Sequence, residues 1–197
     1  MFIAFEGPDQ TGKSTSALAL DCAGQPDYNA TREMHLANVA DWQGDPLMPH
    51  TYDRIDWFTH MVYRLALPDR NWNDDRPRIV FAMPDTHLVV KIHKPELADF
   101  TAPEEVVDTP IARVNPMYYY FADYFMSLNR IRNYELFKTV SMIEVANDPK
   151  TGTFSQKMVA FDSPTSSWDT GLLPLERLVD GDESLLAFLQ DVDQTIG

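Results

Sequence analysis

The stretch Gly7-Pro8-Asp9-Gln10-Thr11-Gly12-Lys13-Ser14 satisfies the pattern Gly-x-x-x-x-Gly-Lys-Ser, and it constrains the fold more than any other feature of the chain. Its glycines let the backbone curl until successive N–H groups point inward at one anion. Before it, Phe2-Ile3-Ala4-Phe5 is a short apolar, β-prone run that reads as a buried strand. After it, good helix formers run from Lys13 to about Ala23, Leu18 and Leu20 among them, with Gly24 suited to ending the helix. Strand, glycine loop, helix is the context that a phosphate loop requires. The helix N-terminus adds its dipole to the attraction for the anion.

With 197 residues, 44% of them hydrophobic and 23% charged, the chain is expected to form one globular domain over residues 1–197. No apolar run approaches the roughly 20 residues of a membrane span. The N-terminus lacks the basic start and small-residue cleavage site of a secretory signal, so the expected location is cytoplasmic, with no membrane partner. The one cysteine, Cys22, cannot close an intramolecular disulfide and is expected to be a buried small hydrophobe. Sixteen basic against 30 acidic residues give a net charge of −14, which repels polyanions at long range and disfavours general nucleic-acid binding. A small anionic substrate needs only a few local cations. The five histidines have no metal-ligand spacing with a cysteine, and neither a Gly-x-Ser-x-Gly elbow nor a Gly-x-Gly-x-x-Gly fingerprint occurs.

Further along, residues 78–83 and 87–92 read as two strand candidates separated by a Pro84-Asp85 turn. Asn115-Pro116 predicts the cap and first turn of a helix that runs to about Lys138, with Phe121, Phe125, Leu128 and Ile131 on its core face. Residues 139–146 and 153–161 flank a turn-rich segment and predict a β-hairpin. A polar loop over 163–173 and a short amphipathic helix over 184–196 complete the chain. The interleaving predicts a three-layer α/β fold of the P-loop NTPase kind, with a mostly parallel sheet, helices on both faces and a C-terminal hairpin.

In a phosphate loop the backbone from Gly7 through Gln10, Thr11 and Gly12 holds the phosphates of ATP, with Thr15 supporting from the helix. Lys13 neutralises charge on the β- and γ-phosphates, and the Ser14 hydroxyl ligates Mg²⁺.

The wording of the motif is more specific. Phe5 to Thr15, FEGPDQTGKST, resembles the FEGxDGxGKST of thymidylate kinases and related nucleotide kinases. Thr31-Arg32-Glu33 resembles the TREPG that follows that family's second strand, and Asp53-Arg54 resembles its DRY. The resemblance implies that Asp9 faces the sugar hydroxyl of the acceptor. It likewise implies that Arg32 and Arg54 contact the acceptor phosphate or the phosphoryl group in flight, and that Asp53 lies by the metal or the attacking oxygen. Tyr63, on the helix expected after Asp-Arg, is a candidate for the base pocket or for packing. The interval from Arg32 to Arg54 is shorter than the family pattern, so its helical insertion is reduced or absent, and a homodimer is left open.

A cationic lid is expected before the long helix, with Lys91, Lys94 and Arg113 at its borders and Arg130 and Arg132 on the helix. Tyr118-Tyr119-Tyr120 offers base stacking or core packing. The expected activity is phosphoryl transfer from ATP to a deoxynucleoside monophosphate. The alternatives are a kinase for a nucleoside or for hydroxymethyluracil in DNA, as in phage-encoded relatives of this kinase group, and an ATP-binding protein without transfer.

Overall fold

The computed structural model, which describes residues 1–42, 48–71, 80–94, 111–132, 136–148 and 153–161, is an α/β fold. Its elements are β1 (Phe2–Glu6), α1 (Lys13–Leu20), β2 (Asp27–Ala30), α2 (Arg32–Asp41), β3 (His50–Ile55), α3 (Asp56–Ala66), β4 (Met83–His93), α4 (Ile111–Arg132), β5 (Phe137–Asp148) and β6 (Thr153–Phe161). The strands form one six-stranded sheet in the order β2-β3-β1-β4-β5-β6. All neighbouring pairs are parallel except β5 with β6, the expected C-terminal antiparallel pair.

Neighbouring residues of β3 show how the helices divide. Thr51 donates its hydroxyl to the Ala17 carbonyl of α1 at 2.9 Å, whereas Tyr52 lies in the core with α3 and α4 and meets His35 of α2 at 2.9 Å. Adjacent strand residues face opposite sides, so α1 covers one face and α2, α3 and α4 the other. That second face is filled by aromatic rings. Phe58 of α3 meets Phe125 of α4 edge-on with centroids 5.1 Å apart, and Trp57 stacks on Phe137 of β5 at 6.2 Å. Each buried ring contributes about 1.5–3 kcal/mol, and together they lock α4 against the sheet.

Four local expectations are corrected. First, α1 stops at Leu20 rather than Ala23, because the Asp21 carboxylate takes the N–H groups of Ala23 at 2.9 Å and Thr51 at 2.8 Å, turning the chain away. Cys22 therefore sits in a surface turn and is exposed, not buried. Second, Pro84-Asp85 is no turn. β4 is continuous from Met83, and a register shift between Met83 and His87 accommodates a proline that cannot donate to the ladder. Third, α4 begins at Ile111 and contains Pro116, so Asn115 is not its cap. Fourth, β5 begins at Phe137, where the long helix was expected to continue to Lys138. The loop over 163–173 and the helix over 184–196 lie outside the described residues. No helix among those described is long and apolar enough to cross a membrane.

Gly7 ties the loop to the sheet. Its φ is +141°, and a Cβ there would stand 1.9 Å from the Lys91 carbonyl oxygen of β4, an atom that no side-chain rotation can move. Gly7→Ala is expected to cost more than about 2 kcal/mol of unfolding free energy. Urea denaturation measures this, and an unchanged midpoint would contradict the packing described.

Candidate functional site

Since β1, β3 and β4 run parallel, their carboxyl ends share one edge, where ligands of open α/β sheets bind. A cavity of about 300 Å³ opens there. The loop and α1 supply Asp9, Gln10, Gly12, Lys13, Ser14 and Thr15 to its wall, and the strands supply Tyr28, Asp53 and Arg54.

The loop is held by left-handed backbone at Gly12, φ +71°, and at Gln10, φ +64°. Gln10 stands where the resembled pattern has glycine, so this chain carries a strain of about 1–2 kcal/mol there. Inside the curl, the Pro8 carbonyl accepts from Thr11 Oγ1 at 3.0 Å and from Lys13 Nζ at 2.6 Å. Thr11 therefore shapes the loop from within and does not line the cavity. Burial, with the Arg54 charge beside it, pushes the Lys13 ammonium down to about 8 against the opposing carboxylates of Asp9, Glu6 and Asp53.

Beneath the loop lies Glu6, fully buried at the end of β1. Its carboxylate accepts from the Ile55 N–H at 2.5 Å, from the Thr59 hydroxyl at 3.0 Å and from the Tyr118 hydroxyl at 3.1 Å. Ile55 is the N-cap of α3 and has no side-chain cap of its own, so Glu6 performs across the sheet what a third-position glutamate does in a capping box. Burial raises its pKa, while Arg54, the Ile55 N–H, the Thr59 hydroxyl and Lys13 act to lower it.

Arg54 is the strained member, with φ +80° in a residue that bears a Cβ. Three contacts hold it there: Nη2 to Asp9 Oδ1 at 2.6 Å, Nη1 to the Tyr118 hydroxyl at 3.4 Å, and its guanidinium 5.6 Å from the centroid of the Tyr63 ring. Tyr63 also reaches Asp9 Oδ2, at 3.5 Å. Asp53, by contrast, is 7% exposed, and its buried Oδ1 has no hydrogen-bond partner among the described residues. With the Ser14 hydroxyl on the same wall, it provides the hard oxygen donors that suit Mg²⁺.

Two β4 residues brace the loop from behind. Lys91, 1% exposed, donates to the Gly12 carbonyl at 3.1 Å and to Ser16 Oγ at 2.7 Å; burial lowers its pKa. His93 contacts the Asp9 carbonyl through Nε2 at 2.8 Å, which makes that nitrogen the proton donor. Its backbone is fixed by Asn115, which accepts from the His93 N–H at 2.8 Å and donates to its carbonyl at 3.0 Å. Asn115 thus uses its amide to join α4 to β4.

The structure brings together Asp9, Gln10, Gly12, Lys13, Ser14, Thr15, Asp53, Arg54 and Tyr63 as the sequence suggested. Arg32 is different: it lies exposed in the first turn of α2 and does not line the cavity, because Thr31 Oγ1 takes the Met34 N–H and starts the helix there. Lys91 is a buried brace rather than a lid cation, and Arg113 is half-exposed, 4.0 Å from Asp69. The lid itself, expected between β4 and α4, falls on residues 95–110, outside those described. Tyr118 and Tyr120 are buried in the core, Tyr118 as a partner of Glu6 and Arg54.

Glu6, His93 and Tyr28 escaped the sequence reading. A lone carboxylate closing an otherwise apolar strand was a usable signal for Glu6, and nothing in the pattern marked Tyr28. Comparison with family models, with curated proteins and with solved structures returned no match.

Removing the Glu6 carboxylate strands three donors and leaves Arg54 with one acidic neighbour fewer. Glu6→Ala is expected to lower stability by about 3–5 kcal/mol. A loss below about 1 kcal/mol in chemical denaturation would show that this carboxylate does not hold the elements together.

Proposed function

We propose that the protein transfers the γ-phosphoryl group of ATP to a deoxynucleoside monophosphate. The observation that carries this reading is the convergence of Lys13, Ser14, Asp53 and Arg54 on one cavity at the mouth of a glycine loop, with a carboxylate oxygen at Asp53 that has no partner among the described residues. A mere phosphate cradle needs the loop and Lys13; the paired Asp53-Arg54 and the Arg54–Asp9 contact supply the means to handle a second, acidic substrate.

In the reaction, an oxygen of the acceptor phosphate bonds to the γ-phosphorus as the bond to the β–γ bridging oxygen breaks, and ADP leaves. Lys13 swings from the Pro8 carbonyl to the phosphates. Arg54, which keeps its charge at any working pH, orients the acceptor phosphate or the phosphoryl group in flight. Asp9 and Tyr63 hold that guanidinium and present a carboxylate to the acceptor sugar. Mg²⁺, held by Ser14 and Asp53, would draw charge from the β- and γ-phosphates. Catalysis on this account is positioning and charge neutralisation, with no covalent intermediate on the protein.

Lys13→Ala is expected to reduce ATP-dependent phosphorylation of the monophosphate by at least about a hundred-fold; near-normal turnover would refute the assignment. A second expectation concerns pH. Lys13 binds phosphate as the ammonium and loses its proton near 8 in the free protein, so ATP affinity is full below that pH and weakens above it. The slope approaches about ten-fold per pH unit between 8 and 10. Calorimetric titration checks this, with Lys13→Met as the flat reference; a wild-type affinity constant to pH 10 would contradict the role of Lys13.

A further inference from the structure

We propose that Phe154, at the start of β6, is a stacking platform for the base of the nucleoside triphosphate, an inference that rests on the phosphate-binding reading of the glycine loop.

Phe154 lies beside the glycine loop, on the side of Gly12 where Lys91 Nζ also stands, because of the topology. β5 is parallel to β4, so its carboxyl end reaches the same edge as the loop, and antiparallel β6 starts there with Phe154 opposite Asn147. A Cβ at Gly12 would meet Phe154 Cζ at 3.3 Å, so the ring rests against the loop backbone next to Lys13. It is not a core residue, since 45% of its surface is exposed. A large aromatic ring left half-exposed beside the loop is available to stack on a ligand held there.

The direction of the transfer selects the ligand. Attacking and leaving oxygens lie roughly in line across the transferring phosphorus, so acceptor and donor nucleoside extend to opposite sides of it. The cavity walls that can handle the acceptor, Asp53 and Arg54, belong to β3, on one side of β1 in the sheet. The donor's nucleoside therefore leaves toward β4, β5 and β6. On the face of the sheet that carries α1, that helix packs over β1 and β3. Phe154 is the aromatic residue that borders the loop on the β6 side among the described residues. Stacking there is tolerant of base identity, because every base has a π-face.

The test titrates the full chain with ATP and with inorganic tripolyphosphate. Wild-type protein is expected to bind ATP more tightly than tripolyphosphate, and Phe154→Ala to weaken ATP by about ten-fold while tripolyphosphate affinity stays within about two-fold. Phe154→Tyr restores ATP affinity and Phe154→Leu does not, which separates stacking from apolar packing on the loop. ATP affinity unchanged in Phe154→Ala, recovery by leucine, an equal loss for both ligands, or equal wild-type affinity for the two would each overturn the platform while leaving the phosphate loop standing. Wild-type protein that binds neither ligand would overturn the loop reading and this inference together.

Discussion

The arrangement hangs on one buried carboxylate. Glu6 ends β1, and from that point its two oxygens gather the N-terminus of α3, the Thr59 hydroxyl one turn into that helix, and the Tyr118 hydroxyl of α4. A carboxylate inside a protein is tolerated only when donors surround it, and here the donors come from separate elements. Their shared acceptor sets the distance between strand and helices directly below the glycine loop. Arg54 belongs to the same assembly, since Tyr118 bonds both to it and to Glu6. The core that closes around these groups is aromatic and close-packed, so a shift of α4 would be felt at Glu6 and, through Asn115 and His93, at the Asp9 carbonyl.

Strain is concentrated at the carboxyl edge of the sheet. The positive-φ residues other than glycine among those described are Gln10, Asn29 and Arg54, in the loop after β1, in the last turn-ward part of β2 and at the end of β3. Such backbone persists where surrounding contacts over-determine it. For Arg54 those contacts come from Asp9, Tyr118 and the Tyr63 ring. The consequence is that Asp53 and Arg54, neighbours that a regular strand would send to opposite faces, both reach the cavity.

Much of the fold was legible because its signals are local. The apolar run before Gly7, the glycine spacing and the helix formers after Lys13 needed no tertiary information, and the turn-rich break between two β-prone runs marked the C-terminal hairpin. The misreadings share one cause. Asn115-Pro116 has the chemistry of a helix start, yet α4 extends past it, since the Asn115 amide is taken by the His93 backbone. Pro84-Asp85 has the chemistry of a turn, yet pairing with β1 and β5 carries the strand through it. Cys22, expected as a buried small hydrophobe, is exposed because Asp21 cuts α1 short through a bond to a residue far along the chain, Thr51. In the site, residues within one motif were found from the motif, while those that brace it from β4 and α4 were hidden by distance in sequence. Arg32 shows the converse: a motif fragment matched in letters need not bring its side chain to the cavity.

The central claim is that this loop and the Asp53-Arg54 edge move phosphate onto a nucleotide rather than merely holding it. The most direct measurement supplies γ-labelled ATP and Mg²⁺ with a panel of deoxynucleoside monophosphates, nucleosides, and plain and hydroxymethyluracil-containing DNA, and follows where the label goes. The account predicts a labelled deoxynucleoside diphosphate. ADP release with no labelled acceptor, or label confined to DNA or to a nucleoside, would contradict it.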